Sequence, residues 1–425
     1  MEKAGNCWRK RGLNSTNDIC CDASGSPAPS GPMRSFRFLI RGLHPRLLTV
    51  RPFGAILSRL MWDFHYLPAG CTHGHSRVAG SEQPARRHAP LLSLAFCLML
   101  LPCGLSARGL ALKRYEYSLP RMGTIFRIDL YSADEATASR AAESAFARAE
   151  ELEQIMSDYR EDSELMRLAR EGASAPFPVS DDLYNVLAKS IQISELSRGA
   201  FDVTVGTLVE LWRKARTTGR FPDGSELAKA KALVDYRNIE LDPARRTVFL
   251  KRAGMKLDLG AIGKGYAADQ MLALLQSRGL RQAMVVAGGE MAVGAPPPGE
   301  TGWRVALDTP DVDTGSPPCT VVLHDIAVST SGDSKQFVEL NGKRYSHVID
   351  PSTGLGLEGA ASTTVIAKEA ATTDALGTAL SIMPVADGIR LAQSLPGVAV
   401  YMVRQAGNGW KRYVSRGFPA GCPGQ

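Results

Sequence analysis

The chain has 425 residues, of which 50 are Lys or Arg and 43 are Asp or Glu, giving a formal net charge of +7. The positive charge belongs to residues 1–108, which contain 14 of the basic residues and only 5 of the acidic ones. A basic protein often binds nucleic acid, but no basic patch with interleaved aromatic residues lies in the part that we predict to fold. The composition therefore argues against a nucleic-acid partner.

Residues 1–85 are rich in Arg, Pro, Gly and Ser and show no hydrophobic period. We expect this segment to be disordered or to precede the true start of translation. Six of the eight cysteines lie before residue 108, which leaves Cys319 and Cys422 to pair with each other or to stay unpaired. The cysteine spacing predicts neither a disulfide framework nor a zinc site.

Residues 86–107 have the pattern of an export signal, with two arginines, an apolar run over 91–101 and then small residues. The apolar run is too short to cross a bilayer comfortably. The residues before Cys103 are similar to a bacterial lipobox, except that Pro102 stands where a small residue is usual. Lipid attachment at Cys103 and cleavage after Ala107 are both open. We expect an exported, periplasmic protein, with lipid anchoring to the inner membrane through Cys103 as the open alternative.

Residues 112–425 show the hydrophobic periods of a folded chain and no gap that resembles a linker. The predicted strands lie at 115–118, 124–131, 239–241, 247–250, 256–259, 283–293 as a pair, 303–307, 320–329, 337–340, 343–347, 362–366, 398–403 and 410–414. The predicted helices lie at 132–157 with Ser132 as the cap, 163–172, 180–199, 225–234 and 266–277, with two more after Gly206 and from residue 372. Hairpins are as frequent as helical crossovers, so we predict a single compact α+β domain with a mixed, largely antiparallel sheet flanked by helices.

The stretch 372–380 offers a carboxylate and a hydroxyl four residues apart. If it is helical, Asp374 and Thr378 lie on one face. Thr372 or Thr373 is predicted to cap the helix, which places Asp374 in the first turn, where unpaired N–H groups favour anions. Mg²⁺ prefers oxygen ligands and often completes its shell with substrate phosphate, so this corner suits a magnesium ion. An ordinary helix with a solvent-facing polar side has the same pattern.

A glycine-rich turn at 260–265 follows a predicted strand and precedes a predicted helix. Its order, G-x-x-G-x-G, is neither the dinucleotide fingerprint nor a P-loop, which argues against a nicotinamide oxidoreductase. The carbonyl of Ala261 is a candidate to join Asp374 and Thr378 at the metal, and Asp258 and Lys264 would face a nucleotide. A tight turn with surface ion pairs is the structural alternative.

Only His324 and His347 lie outside the leader, among seven histidines in all. Two histidines leave few candidate ligands for a zinc site and few candidate bases for a hydrolase triad. The sequence has neither H-E-x-x-H nor G-x-S-x-G. His347 lies at the end of a predicted strand, before a turn, which suits a working base. A hydrogen-bonded structural histidine fits this position equally well.

Seven short motifs, each weak by itself, occur together in one order. They are Met122-Gly123-Thr124; Ser157-Asp158-Tyr159 with Asp162-Ser163-Glu164-Leu165; the segment 199–206; the segment 258–265; Ala287-Gly288-Gly289-Glu290; the segment 346–354; and Thr372-Thr373-Asp374 with Thr378. Over nearly all of residues 112–385 they resemble the ApbE family of FAD:protein FMN transferases. The resemblance implies an exported, Mg²⁺-dependent enzyme that transfers FMN from FAD to a threonine hydroxyl of a target protein and releases AMP.

The resemblance also implies roles for individual residues. It places Mg²⁺ on the carbonyls of Ala261 and Gly377 and on the side chains of Asp374 and Thr378. It places FAD against Met122, Tyr159, Ala200, Phe201, Asp202, Asp258, Lys264 and the backbone near Ile349. The Tyr159 ring can stack on the isoalloxazine. His347 and Asp374 are the expected catalytic residues, with His347 taking the proton of the incoming threonine or steadying the phosphate. The expected partner is an acceptor protein, taken to be a subunit of a membrane redox complex.

Two other functions fit the same motifs. With water as the nucleophile, the site would be an FAD pyrophosphatase that produces FMN and AMP. A flavin-binding lipoprotein without turnover would bind FAD tightly whether or not Asp374 were present. The sequence separates these functions poorly, because the acceptor is a different protein.

Overall fold

The computed structural model describes residues 111–307, 319–332, 337–340, 342–359, 361–406 and 409–422. The predicted leader, the export-signal segment with Cys103, and Asn341 of the predicted hairpin turn lie outside these residues. The described residues belong to one compact unit. None of the helices in this part of the chain combines the length and the apolar character that crossing a membrane requires.

Helices and strands alternate irregularly along the chain. The helices are α1 (Glu135–Met156), α2 (Glu164–Glu171), α3 (Asp181–Leu196), α4 (Gly206–Thr218), α5 (Gly224–Lys231), α6 (Gly263–Ser277), α7 (Ala370–Ile382) and α8 (Val385–Ser394), with a 3-10 turn at Tyr236–Asn238. The strands are β1 (Lys113–Arg121), β2 (Thr124–Ser132), β3 (Phe177–Pro178), β4 (Ile239–Asp242), β5 (Thr247–Leu250), β6 (Ala283–Ala287), β7 (Glu290–Val293), β8 (Trp303–Ala306), β9 (Thr320–Leu323), β10 (Ile326–Gly332), β11 (Phe337–Leu340), β12 (Lys343–Ile349), β13 (Gly356–Glu358), β14 (Ala361–Ala367), β15 (Ala399–Ala406) and β16 (Gly409–Val414).

Eight strands form the main sheet, in the order β1-β2-β6-β7-β10-β14-β15-β16. Each of its pairings is antiparallel. Within the described residues, parallel pairing is limited to a single bridge between Val205 and Lys256, where we predicted a strand over 256–259. The predicted α+β class is confirmed, and the sheet is more uniformly antiparallel than expected.

Four helices, α1, α6, α7 and α8, pack against one face of the main sheet. Alternation turns Phe126, Ile128 and Leu130 of β2 towards this helix layer, where they are fully buried. The buried face of α1 is mostly alanine, which lets it approach α6 closely. Helices α6 and α7 pack side by side, so the segments that lead into them meet above the sheet.

The other face of the main sheet is covered by the hairpin β8-β9 and by the end of the chain. We predicted the strands at 303–307 and 320–329 as part of one mixed sheet, which was wrong for β8 and β9. The reason is that Val321 and Leu323 are buried in the apolar cluster on that face, so the hairpin stacks on the sheet instead of extending its edge. A disulfide joins Cys319 to Cys422 across 103 residues, so these two cysteines pair.

A smaller sheet, β11-β12-β13, packs on α4. Trp212 of α4 lies in one apolar cluster with Tyr345 and Ile349 of β12. The indole N–H of Trp212 donates to the carbonyl of Gly354 at 2.9 Å. These contacts fix the position of β12, the strand that carries His347.

The starts of α1, α6 and α7 differ from the prediction, and α7 begins at Ala370 rather than at residue 372. Helix α1 is capped by Asp134, whose side chain accepts from the Thr137 N–H, whereas Ser132 ends β2. Helix α6 begins at Gly263 rather than at residue 266, so the glycine-rich turn forms the first turn of the helix. The predicted helix was too short because glycine is a poor helix former away from tertiary contacts.

Candidate active site

The loop before α6 folds back on itself ahead of that helix. Oδ1 of Asp258 accepts from the Gly260 N–H at 2.7 Å. Lys264, in the first turn of α6, donates from Nζ to the Gly260 carbonyl at 2.7 Å. No side chain caps α6 at Ile262. The Ile262 and Gly263 N–H groups donate to the Leu259 carbonyl, so the positive end of the helix dipole and the Lys264 ammonium are the features that favour an anion here.

Helix α7 packs against the start of α6 at Gly265. A Cβ on Gly265 would lie 2.5 Å from the carbonyl carbon of Ala370, so this approach requires glycine. The Gly265 N–H donates to Oδ2 of Asp374 at 3.1 Å. The two segments that we expected to share a site, 258–265 and 372–378, are therefore in direct contact.

Asp269 of α6 caps α7. Its two carboxylate oxygens accept from the N–H groups of Ala370 and Ala371 at 2.8 and 2.9 Å. Burial raises the pKa of Asp269 to about 6, and these two hydrogen bonds oppose the rise. The prediction that Thr372 or Thr373 caps this helix was wrong, because the cap comes from a residue 101 positions from Ala370 in the sequence.

Asp374 lies in the second turn of α7, not in the first turn as predicted, and only 3% of its surface is exposed. Its Oδ2 lies 3.9 Å from the Lys264 ammonium. Burial raises the pKa of Asp374, and Lys264 and the Gly265 N–H oppose this. The anion-binding helix end beside Asp374 is therefore that of α6, and not the start of its own helix.

Glu290, for which the sequence predicted no role, is the second carboxylate of this cluster. It starts β7 after the tight turn at Gly288 and is 7% exposed. Its Oε1 lies 3.6 Å from the Lys264 Nζ, while Oε2 is buried with no hydrogen-bond partner among the described residues. A buried carboxylate oxygen is costly to leave without a hydrogen-bond partner, so Oε2 is a candidate ligand for a cation. The glycine turn was the available signal, because it sets Glu290 at the end of a strand.

Two carboxylates and one ammonium share this buried space, which gives it an excess of one negative charge when all three are ionised. Burial raises the pKa of Glu290 to about 7, with Asp374 adding to the rise and Lys264 opposing it. Burial lowers the pKa of Lys264, but Asp374 and Glu290 outweigh it and raise that pKa above its ordinary value. Lys264 therefore stays charged, and the cluster favours one more cation.

The remaining predicted cation ligands lie nearby. Thr378 is one turn after Asp374, and Ala261 lies in the loop just before α6. The Gly377 carbonyl lies within α7 and accepts from the Ser381 hydroxyl at 2.8 Å. In the part of the chain that the structure describes, no three His, Cys, Asp or Glu side chains form a metal-binding group. A cation here would rely on carbonyl and hydroxyl oxygens as well, which suits a hard ion such as Mg²⁺.

Tyr159 is joined to the site through Arg213 of α4. The Tyr159 residue is 75% exposed, and the Arg213 guanidinium covers one face of its ring at 4.1 Å from the centroid. Arg213 also pairs with Asp158 at 2.6 Å and with Asp258 at 3.3 Å. Burial and repulsion by Asp258 raise the pKa of Asp158, and Arg213 opposes this. Arg213 was not predicted, because a single arginine in a helix resembles any solvent-facing residue.

Met122 forms the turn of the β1-β2 hairpin together with Gly123, both with positive φ. Its N–H donates to Oε2 of Glu153 at 3.1 Å. Glu153 lies in the last turn of α1. The structure therefore places Met122 at the same end of α1 as Tyr159.

Ala200, Phe201 and Asp202 run beside the loop before α6, where the Asp258 N–H donates to the Val203 carbonyl at 2.8 Å. The Phe201 side chain is buried in the main core. Both carboxylate oxygens of Asp202 accept hydrogen bonds from within the protein. This segment can thus offer a ligand its backbone more readily than these two side chains.

His347 lies on β12 with an exposed side chain and, with the buried Ile349, lines a small cleft against Trp212. Its neighbour Ser346 lines a second cleft, of about 240 Å³, together with Ser381 of α7. The strand of His347 therefore runs alongside the helix that carries the predicted metal ligands.

Within the described contacts, neither Asp374 nor Lys264 hydrogen-bonds to His347. The structure thus joins the predicted metal and phosphate residues directly, and it brings the predicted base to the neighbouring cleft.

Known proteins are similar to this chain in sequence and in fold. The model of the ApbE family matches residues 122–402. A protein of Vibrio cholerae named FAD:protein FMN transferase is 33% identical over 333 residues, which is 77% of this chain and 97% of the relative. A protein of Treponema pallidum with the same name is 34% identical over 319 residues, 71% of this chain and 88% of the relative.

Solved structures agree with these matches. The flavin transferase ApbE from Vibrio cholerae superposes with a TM-score of 0.66 at 32% identity and covers 72% of this chain and 98% of its own. The ApbE protein from Thermotoga maritima gives a TM-score of 0.64 at 30% identity, with 72% and 97% covered. The resemblance predicted from the seven motifs is confirmed, and this chain belongs to the ApbE family.

Proposed function

We propose that this chain transfers FMN from FAD to a threonine hydroxyl of an acceptor protein and releases AMP, with Mg²⁺ required. The buried cluster of Asp374, Lys264 and Glu290 at the open start of α6 carries the proposal. It combines cation-binding oxygens with an anion-binding helix end, as a nucleotide diphosphate with its metal requires. Relatives that this chain matches over most of their length are named for this transfer.

The residues present fit a magnesium ion. Asp374, Thr378 and the carbonyls of Ala261 and Gly377 would hold it. Glu290 adds a buried oxygen that has no hydrogen-bond partner in the described part of the protein. When bound, Mg²⁺ supplies positive charge against the diphosphate oxygens and the departing AMP.

The chain's own groups bind and orient FAD. Lys264 and the positive end of the α6 dipole would hold the diphosphate. Tyr159 offers the uncovered face of its ring to the isoalloxazine. Asp258 links the two sites, because it pairs with Arg213 beside Tyr159 and accepts from the Gly260 N–H in the loop before α6.

In the transfer, the threonine oxygen attacks the phosphorus of the FMN half. A P–O bond forms to threonine, the P–O bond to AMP breaks, and AMP leaves with the bridging oxygen. His347 takes the hydroxyl proton on a ring nitrogen, a contribution worth about 10² to 10⁴ in rate. The exposed position of His347 on β12 suits a base that meets a residue of another protein.

We also propose export to the periplasm. The disulfide between Cys319 and Cys422 supports an oxidising compartment. The signal-like segment 86–107 belongs to this proposal, with lipid attachment at Cys103 as one of its two forms. The acceptor is then a protein exposed on the same side of the membrane, such as a subunit of a redox complex.

The test uses the purified chain with FAD, Mg²⁺ and a detergent extract of membranes from the source cells. We expect flavin fluorescence on a protein band that survives denaturation, release of AMP, and a mass gain of one FMN on a threonine of that protein. A chelator should abolish the label. Release of AMP and FMN without any labelled protein would identify a pyrophosphatase instead, and unchanged FAD would identify a binding protein.

A further inference from the structure

Arg213 connects three segments that the proposed function needs in one place. It pairs with Asp158 after α1 at 2.6 Å and with Asp258 before α6 at 3.3 Å. Its guanidinium lies 4.1 Å from the centroid of the Tyr159 ring. Among the described residues, Arg213 alone both pairs with the loop before α6 and covers the Tyr159 ring.

The exposed ring of Tyr159 needs support to act as a stacking platform. An exposed aromatic side chain loses rotamer freedom when a ligand stacks on it, and this loss reduces affinity. A guanidinium on one face holds the ring through a cation–π contact. Because Asp158 and Asp258 hold the guanidinium in turn, the ring is fixed before the ligand arrives, with one face covered and the other open.

The loop before α6 also holds this guanidinium, through a carboxylate that has a separate hydrogen bond within the loop. One oxygen of Asp258 accepts from Arg213 at 3.3 Å, and the other accepts from the Gly260 N–H at 2.7 Å. Without Arg213, two partly buried carboxylates would face each other, since repulsion by Asp258 already raises the pKa of Asp158. Arg213 therefore sets both the angle of the ring and its distance from the loop.

The chain contains a second pair of this kind that has no place in the site. Arg246 lies 4.6 Å from the ring centroid of Tyr184 and pairs with Asp181 at 3.0 Å. Tyr184 is buried, at 8% exposure, so its ring offers no open face. The two pairs share their chemistry and differ in what the ring can reach.

Resting on the proposed function, we propose that Arg213 is a positioning residue that confers affinity for the flavin half of FAD. It holds the Tyr159 ring so that the face opposite the guanidinium stacks on the planar isoalloxazine. Ligands that lack this ring gain nothing from it. ADP, which has the adenosine and a diphosphate but no flavin, is the matched probe.

The experiment measures FAD and ADP binding by calorimetry for the full chain and for the Arg213→Met and Arg246→Met variants, each checked by thermal unfolding. We expect Arg213→Met to weaken FAD binding by about tenfold, with ADP binding within about twofold of the unchanged chain. Bound FAD should also lose part of its fluorescence quenching in this variant. Arg246→Met should leave both affinities unchanged.

Two further variants keep the test decisive. Arg213→Lys retains the charge beside Asp158 and Asp258 without the flat guanidinium, so it decides the matter if Arg213→Met does not fold. We expect it to weaken FAD binding by about threefold. In a Tyr159→Ala background, Arg213→Met should cost no further FAD affinity, because the two side chains act as one unit.

Equal loss of FAD and ADP affinity in Arg213→Met would overturn the proposal in favour of a general role in the loop. FAD affinity equal to that of Arg246→Met would overturn it as well. These outcomes concern binding alone, so they are separate from the fate of the proposed transfer. A chain that binds FAD but labels no acceptor contradicts the proposed transfer. The role of Arg213 is still decided by the FAD and ADP affinities of Arg213→Met.

Discussion

Helices α6 and α7 lie side by side, and each start is held by a carboxylate from the other helix. Both carboxylate oxygens of Asp269 in α6 accept hydrogen bonds from N–H groups at the start of α7. One carboxylate oxygen of Asp374 in α7 accepts a hydrogen bond from the Gly265 N–H at the start of α6. Both oxygens of Asp269 are thus occupied by hydrogen bonds that hold the fold, whereas Asp374 can still bind another partner beside Lys264. The site lies at the start of α6, where the capping carboxylate, Asp374, can bind a further partner.

The largest effect is expected from Gly265→Ala, which breaks both caps at once. The added Cβ would lie 2.5 Å from the carbonyl carbon of Ala370 and 2.8 Å from the amide nitrogen of Ala371. Backbone on both sides cannot give way as a flexible side chain would. We expect the free energy of unfolding to fall by about 3 kcal/mol, measured by urea denaturation.

Gly224→Ala is the matched control, since Gly224 also begins a helix and a Cβ there would meet nothing within 4 Å. Its stability should equal or slightly exceed that of the unchanged chain. Similar losses for the two alanine variants would contradict the close packing of α6 on α7.

Asp374→Asn should affect function much more than folding. The amide keeps the size of the side chain but removes the negative charge that a divalent cation needs. We expect FMN labelling of the acceptor to fall by at least about 100-fold, with a change in unfolding free energy below about 1 kcal/mol. Labelling within tenfold of the unchanged chain, at saturating Mg²⁺, would remove Asp374 from the site.

Asp269→Ala should show the reverse pattern. It leaves the N–H groups of Ala370 and Ala371 without their acceptor, and we expect the free energy of unfolding to fall by about 2 kcal/mol. Cation binding should weaken only to the extent that the start of α7 frays. A loss of cation affinity without a loss of stability would show that the two carboxylates do not differ in the way described.

The effect of Asp269→Ala should also depend on pH. Burial raises the pKa of Asp269 from 3.8 to about 6 in the folded protein, so the folded state binds more protons than the unfolded state between these values. The stability that Asp269 contributes is then fully present below pH 3.8 and is lost as pH rises through 6. Urea denaturation of both proteins should show a difference that is larger near pH 4.5 than near pH 8; a constant or growing difference contradicts the raised pKa.

The sequence allowed the site segments to be paired but not the helix starts to be placed. Segment 258–265 carries glycines and segment 372–378 carries threonines of the kind found at caps, and local patterns detect both. The cap of α7 comes from Asp269, 101 positions from Ala370 in the sequence, and local capping rules consider only neighbouring residues.

Glu290 and Arg213 were missed for a related reason. A carboxylate at a strand end and an arginine in a helix both resemble solvent-facing residues until the neighbouring elements are placed around them. Asp202 is the opposite case. It was expected to contact FAD, but its carboxylate is occupied by hydrogen bonds within the protein. Tertiary contacts decide which polar residues of a motif remain available.

The smallest effect is expected from Glu290→Gln, which sharpens the contrast between a saturated carboxylate and an open one. Glutamine keeps the volume and one oxygen but removes a negative charge 3.6 Å from Lys264. With that charge gone, Lys264 is balanced by Asp374 alone, and the pocket loses its excess of negative charge. We expect Mn²⁺ affinity, measured by calorimetry at pH 8, to fall by about tenfold.

Asp129→Asn is the control for Glu290→Gln, because Asp129 is also buried but pairs with Arg114 at 2.5 Å outside the site. That variant should lose stability, since it weakens the ion pairs of Asp129 with Arg114 and Arg127, and should keep its Mn²⁺ affinity. Glu290→Gln should do the opposite and melt at or above the temperature of the unchanged chain, because it removes a buried charge without a hydrogen-bond partner for Oε2 among the described residues. If Glu290→Gln lowers stability and leaves Mn²⁺ affinity intact, Glu290 serves the fold as Asp269 does, and Asp374 alone distinguishes the open helix start from the closed one.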